Sequence, residues 1–123
     1  MIKTEKTIYD AVEKSDGKRI LVMSLWPRGV KKEKIDLWMK ELGTPRHVIK
    51  KWKTGEISWS QVAKEYRKVL QNNRALLLDL AKLSMEGDIT LLCSCKDAEK
   101  CHRTMLAEEV RKITTNVSPD DID

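Results

Sequence analysis

No stretch of this 123-residue chain is apolar over the roughly 20 residues that a membrane-spanning helix needs. The opening Met1-Ile2-Lys3-Thr4-Glu5-Lys6 also lacks the apolar segment of a signal peptide. The expectation is a soluble cytoplasmic protein with no membrane partner. There is no internal repeat, low-complexity segment or evident linker, and the length suits one domain. Residues 1–113 read as a single α/β domain and 114–123 as an acidic tail that frays. Cysteine is scarce and odd in number, three in all, and all three lie between positions 93 and 101. That makes a poor disulfide framework and a better match to thiols kept reduced. No long block of like charge is present either. The net charge of +5 comes from 24 basic and 19 acidic residues interleaved. It reads first as a lysine-rich solvated surface, and second as a nucleic-acid footprint.

What is present is concentrated in Ile89 to Val110, where every cysteine stands beside a histidine and an arginine. The first residues are apolar and mostly branched, Lys96-Asp97 breaks the run, and Leu106, Val110 and Ile113 recur at helical spacing. Reactive side chains therefore sit where a strand hands over to a helix, a junction that binds anions in open α/β sheets because helix-start amides point outward.

Taken in order, Ile2 to Tyr9 alternates loosely and predicts a first strand. Arg19 to Leu25 is a continuous apolar run of the kind buried on both faces, ended by Trp26-Pro27-Arg28-Gly29. Ile35, Trp38, Met39 and Leu42 predict a helix over Lys31 to Leu42, followed by a short one around Val48, Ile49 and Trp52. Ser58 and Gln61 fit a capping box ahead of the stripe Trp59, Val62, Ala63, Tyr66, Val69 and Leu70. Leu76, Leu77, Leu80, Ala81 and Leu83 bury a further helix that Gly87-Asp88 closes. This order predicts a small Rossmann-like α/β domain, a short mostly parallel sheet packed against several helices. Leu21 to Leu25 and Ile89 to Cys93 would be its central strands, joined through a long helical crossover. Parallel neighbours have adjacent C-terminal ends, so the Arg28 loop is expected beside Cys93 through Arg103.

Lys18-Arg-Ile-Leu-Val, Leu25-Trp-Pro-Arg-Gly-Val-Lys-Lys, the Trp/Tyr helix from Ser58 to Leu70, and Thr90-Leu-Leu followed by the His102 helix together resemble the YeaO-like family, domain of unknown function 488. The resemblance runs from Ile8 to about Val110. It implies a compact α/β fold without an assigned activity, and its motifs carry over onto Arg28, Cys93, His102 and Arg103. The chain departs from the family at Met23-Ser24, where members often carry an acid and an arginine, and at Cys95, where the Cys-His-Arg branch often has glutamate.

Three chemistries compete for the cluster. A cysteine nucleophile in an anion-binding turn is favoured by a helix N-terminus and nearby cations. The phosphatase-like spacing is absent, because Glu99 and Cys101 stand where an arginine six residues after Cys93 or Cys95 would be. A zinc site could draw on Cys93, Cys95, Cys101 and His102, but consecutive helical side chains diverge by about 100°, so no metal is assigned. A redox pair among the cysteines is the third. Cys93 on its own reads as a small apolar residue ending a buried strand.

The leading expectation is a pocket for a small anionic ligand, phosphate or nucleotide. Arg28, Arg103 and Ser24 would bind it, Cys95 or Cys101 would be the nucleophile and His102 the proton donor or acceptor. The alternatives are a non-catalytic module that binds nucleic acid or protein, and a zinc or redox sensor. No cofactor or oligomeric state follows from the sequence.

Overall fold

The computed structural model describes residues 1–95 and 100–116. The expected Lys96-Asp97 turn, Glu99 and the tail from residue 117 onward lie outside the described residues.

Four strands, β1 (Ile2–Lys3), β2 (Lys18–Leu21), β3 (Leu37–Trp38) and β4 (Ile89–Leu92), form one sheet in the order β1-β4-β2-β3, with every pairing parallel. The helices are α1 (Arg46–Lys53), α2 (Trp59–Asn72), α3 (Arg74–Glu86) and α4 (His102–Asn116). This is the expected α/β class with a short parallel sheet. The two apolar runs pair at its centre, Lys18 opposite Ile89 and Leu21 opposite Leu92. The connection between them contains β3 and α1 to α3, because a parallel pair cannot be closed by a tight turn.

Side chains alternate across the strands, and the two faces are covered differently. Ile20, Val22, Ile89 and Leu91 share a core with Tyr66 and Leu70 of α2, Leu77 and Leu80 of α3, and Leu106 and Val110 of α4. Leu21 and Leu92 face the other way and meet Ile8, Met23, Trp26, Val30 and Ile35, which all come from loops. Helices thus supply the main core and loops cover the second face. Arg19 and Thr90 also lie in these strands and are buried. The Thr90 hydroxyl donates to the Asp16 carbonyl at 2.7 Å, Arg19 Nε donates to the Lys34 carbonyl at 2.8 Å, and the Arg19 guanidinium pairs with the Asp16 carboxylate at 2.5 Å.

Three sequence expectations need correction. The first strand covers only Ile2–Lys3, not Ile2 to Tyr9. Past it the ladder to β4 stops, Lys6 Nζ reaches Asp16 at 3.0 Å, and the Ile8 amide donates to the Cys93 carbonyl at 3.0 Å. The second strand ends at Leu21 and not at Leu25, although the Val22 amide still donates to the Leu92 carbonyl at 3.0 Å. The helix expected over Lys31 to Leu42 is replaced by 3₁₀ turns at Lys32–Lys34 and Lys40–Leu42, flanking the edge strand β3. The Asp36 and Met39 amides donate to the Arg19 and Leu21 carbonyls, each at 2.9 Å, so the edge of β2 takes the amides a helix would use internally. Helical spacing of Ile35, Trp38, Met39 and Leu42 was real, but long-range pairing outweighed it.

Elsewhere local signals decided the outcome. The Ser58 hydroxyl accepts from the Gln61 amide and the Gln61 side chain accepts from the Ser58 amide, starting α2 where the capping box predicted. Asn73 separates α2 from α3, and its side chain donates to the Val69 carbonyl at 2.8 Å, satisfying one late carbonyl of α2.

Candidate functional site

The C-terminal ends of β2 and β4 lie side by side, and a cleft of about 660 Å³ opens beyond them. Its floor comes from the segment after β4 and the start of α4: Cys93, Ser94, Cys95, Cys101 and His102. One wall is the segment after β2, with Met23, Ser24 and Leu25. Another part of the lining is α1, which contributes Arg46, His47, Ile49, Lys50, Trp52 and Lys53. Trp59 of α2 completes that part, its ring 5.0 Å from that of Trp52.

The three thiols converge. Cys93 Sγ lies 3.5 Å from Cys95 Sγ, and all three sulfurs fall within 4.8 Å of one another. Cys93 and Cys101 are buried and Cys95 is half-buried. Sulfurs this close cannot all ionise independently. Hydrogen bonds from Cys101 and then Cys95 hold the Cys93 thiol well below its ordinary range, and the Arg103 charge adds to this. Cys101 is pushed up by its bonds to Cys93 and Cys95 and by burial. At Cys95 the bond to Cys101 acts downward, but the bond to Cys93, burial and the Cys93 charge together raise it. The directions favour Cys93 as the first of the three to ionise. The one-residue spacing of Cys93 and Cys95 was a signal for this, but a strand-end cysteine in an apolar run reads as packing.

Arg103 is 1% exposed and stands behind the thiols, outside the residues that line the cleft. Its Nε donates to the Thr4 carbonyl at 2.9 Å, and Nη1 donates to the Cys95 carbonyl at 2.8 Å and lies 3.5 Å from Cys101 Sγ. His102 is also buried. Its Nε2 donates to the Val22 carbonyl, and its ring packs against Tyr66 at 5.1 Å. Burial lowers its proton affinity against the opposing pull of the Val22 carbonyl, which keeps the ring neutral with Nδ1 as the acceptor. Cys101 and His102 thus point apart, one to the thiols and the other to β2.

Ser24 does line the cleft, its hydroxyl donating to the Thr44 carbonyl at 3.2 Å. Arg28 is exposed and does not line it. Its loop is closed by Trp26 Nε1 donating to the Val30 carbonyl at 2.9 Å, with Pro27 buried and Gly29 at φ 76°. The cations that do line the cleft are Arg46, Lys50 and Lys53, at i, i+4 and i+7 of α1, one face of that helix. Of these, Lys50 and Lys53 stood out in the sequence only as part of a lysine-rich surface.

Residues 2–114 match the family model described as "Active DUF488-N3 subclade". The chain belongs to the YeaO-like DUF488 family. Among its relatives, the uncharacterized protein YeaO of Escherichia coli (strain K12) is 36% identical over 111 residues, spanning 88% of this chain and 96% of that one. The uncharacterized proteins Rv3073c of Mycobacterium tuberculosis (strain ATCC 25618 / H37Rv) and Mb3100c of Mycobacterium bovis (strain ATCC BAA-935 / AF2122/97) are each 25% identical over 104 residues, covering 82% of this chain and 86% of theirs. No solved structure gives a significant match. The DUF488 match spans the sheet, the thiol cluster and the α1 wall together. Among the described residues no helix is long and apolar enough to cross a membrane.

Proposed function

We propose that this DUF488 protein is a thiol-dependent enzyme acting on a small phosphate-bearing substrate, a nucleotide being the best fit to the cleft. The observation that carries the reading is that three converging thiols line the same cleft as Arg46, Lys50 and Lys53. Cationic side chains attract and orient phosphate, and the apolar faces of Trp52 and Trp59 suit a base or sugar. The thiolate at Cys93, with Cys95 the more exposed partner within proton-transfer distance, would be the nucleophile. Ser24 offers a hydroxyl in the same lining. His102 is assigned to positioning, since its Nε2 holds Val22, and Arg103 to stabilising the thiolate and holding the Cys95 backbone. The family model's description as an active subclade agrees with an enzyme.

The test is the rate of iodoacetamide alkylation at each thiol across pH, read by mass spectrometry with and without inorganic phosphate and nucleotides. The reading expects one thiol that stays reactive below the ordinary thiol range and is protected by the anion. Three ordinary thiols indifferent to every anion would sink it. Nucleic-acid binding that falls steeply with salt and survives loss of all three thiols would replace it with the non-catalytic reading.

A further inference from the structure

We infer that Cys93, Cys95 and Cys101 form a three-thiolate site for a zinc ion, with the fourth coordination position opening into the cleft. This does not rest on the anion-binding reading, and it concerns a different state of the same thiols: zinc withdraws Cys93 from the nucleophile role, which belongs to the metal-free chain. Its basis is the convergence of three sulfurs from two separated points of the chain, the end of β4 and the residue before α4.

Distance supports it first. A tetrahedral zinc with bonds of about 2.3 Å holds its sulfurs about 3.8 Å apart. The Cys93–Cys95 separation is 3.5 Å, and no pair in the trio exceeds 4.8 Å. Small side-chain rotations bring all three into place. A disulfide would use only two of the sulfurs and leave the third unexplained.

Charge supports it next. Three thiolates and a divalent ion leave one negative charge, and the buried Arg103 guanidinium, 3.5 Å from Cys101 Sγ, neutralises it. The same guanidinium holds the Cys95 carbonyl at 2.8 Å, which fixes the backbone of a second ligand in the way outer partners of metal sites do. Access is the third support. All three cysteines line the cleft, so an ion can enter from solvent and retain one exchangeable position, the arrangement of open zinc sites. His102 does not supply the fourth ligand through Nε2, which is engaged by Val22.

The experiment titrates the reduced full chain with zinc alone against a chromophoric chelator. The expected result is one zinc per chain, held about a hundredfold or more less tightly by Cys95→Ser and unchanged in Lys50→Ala. Cobalt in place of zinc should give a thiolate-to-metal charge-transfer band that Cys95→Ser loses. In the unsubstituted chain zinc should also protect all three thiols from alkylation, a readout that does not depend on a variant folding. Zinc fully surrendered to the chelator, or retention unchanged in Cys95→Ser, would overturn the inference. Phosphate protection lost in Lys50→Ala reports on the anion reading separately, so either can fail while the other stands.

Discussion

The His102 ring donates from Nε2 to the carbonyl of Val22, tying the first residue of α4 to the residue that follows β2. The imidazole is buried and its proton affinity is lowered, chiefly by burial. The unfolded chain, with an imidazole near its ordinary value of 6.5, takes up the proton first as pH falls. Stability is therefore full above pH 6.5 and declines below it, by at most about 1.4 kcal/mol per pH unit from this group. Urea unfolding at pH 7.5 and 5.5 measures the decline. His102→Gln, which can still donate to Val22, should flatten it.

A second buried polar contact has the opposite chemistry. Burial alone would raise the Asp16 carboxyl, but the Glu13 amide, Lys6 and Arg19 outweigh it and hold the group below its ordinary value. Its contribution is present above pH 3.8 and is lost as pH falls through the lower folded value. Asp16→Asn should cost roughly 3–5 kcal/mol, because Arg19, already with one buried nitrogen lacking a partner, is left without a countercharge. Replacing Asp16 and Arg19 together by apolar residues of similar size should recover much of that loss, as read by chemical denaturation.

How far the sequence disclosed these features depends on the range of the forces involved. The Ser58 cap, the α2 and α3 stripes and the β2–β4 pairing rest on local periodicity or on apolar runs, and all were legible. Leu37–Trp38 was not, because its strand state comes from hydrogen bonds to Arg19 and Leu21 that no local pattern encodes. At the site, the placement of the strand-to-helix junction beside the segment that follows β2 was legible from strand direction. The convergence of Cys101 on Cys93 depends on how the intervening loop returns. Arg46 reaches the cleft only because α1 packs beside it. Arg103 was expected to hold an anion, and its burial behind the thiols, against the carbonyls of Thr4 and Cys95, was not legible because those contacts come from distant parts of the chain.

Gly43 offers a prediction on backbone packing. A Cβ there would stand 2.1 Å from the Ser24 amide nitrogen and 2.6 Å from the Met23 carbonyl carbon, both backbone atoms. Neither can swing away as a side chain would. Gly43→Ala should destabilise by roughly 1–3 kcal/mol. Because the strain falls on the Met23–Ser24 wall of the cleft, anion protection of the thiols should weaken as well. Thermal melts and the alkylation assay read the two effects.

The placement of cations separates two arginine-based readings of the cleft. Arg28 is exposed and outside the lining, whereas Arg46 and Lys50 project from one face of α1 into it. Arg28→Ala should leave phosphate protection of the thiols unchanged. Arg46→Ala and Lys50→Ala should each weaken it several-fold, since an exposed cation facing a bound phosphate contributes on the order of 1 kcal/mol. All three positions are surface-exposed, so folding should be unaffected and the comparison is direct. Loss of protection in Arg28→Ala alone would place the anion on the Trp26-Pro27-Arg28-Gly29 loop. The α1 wall would then be an ordinary solvated face.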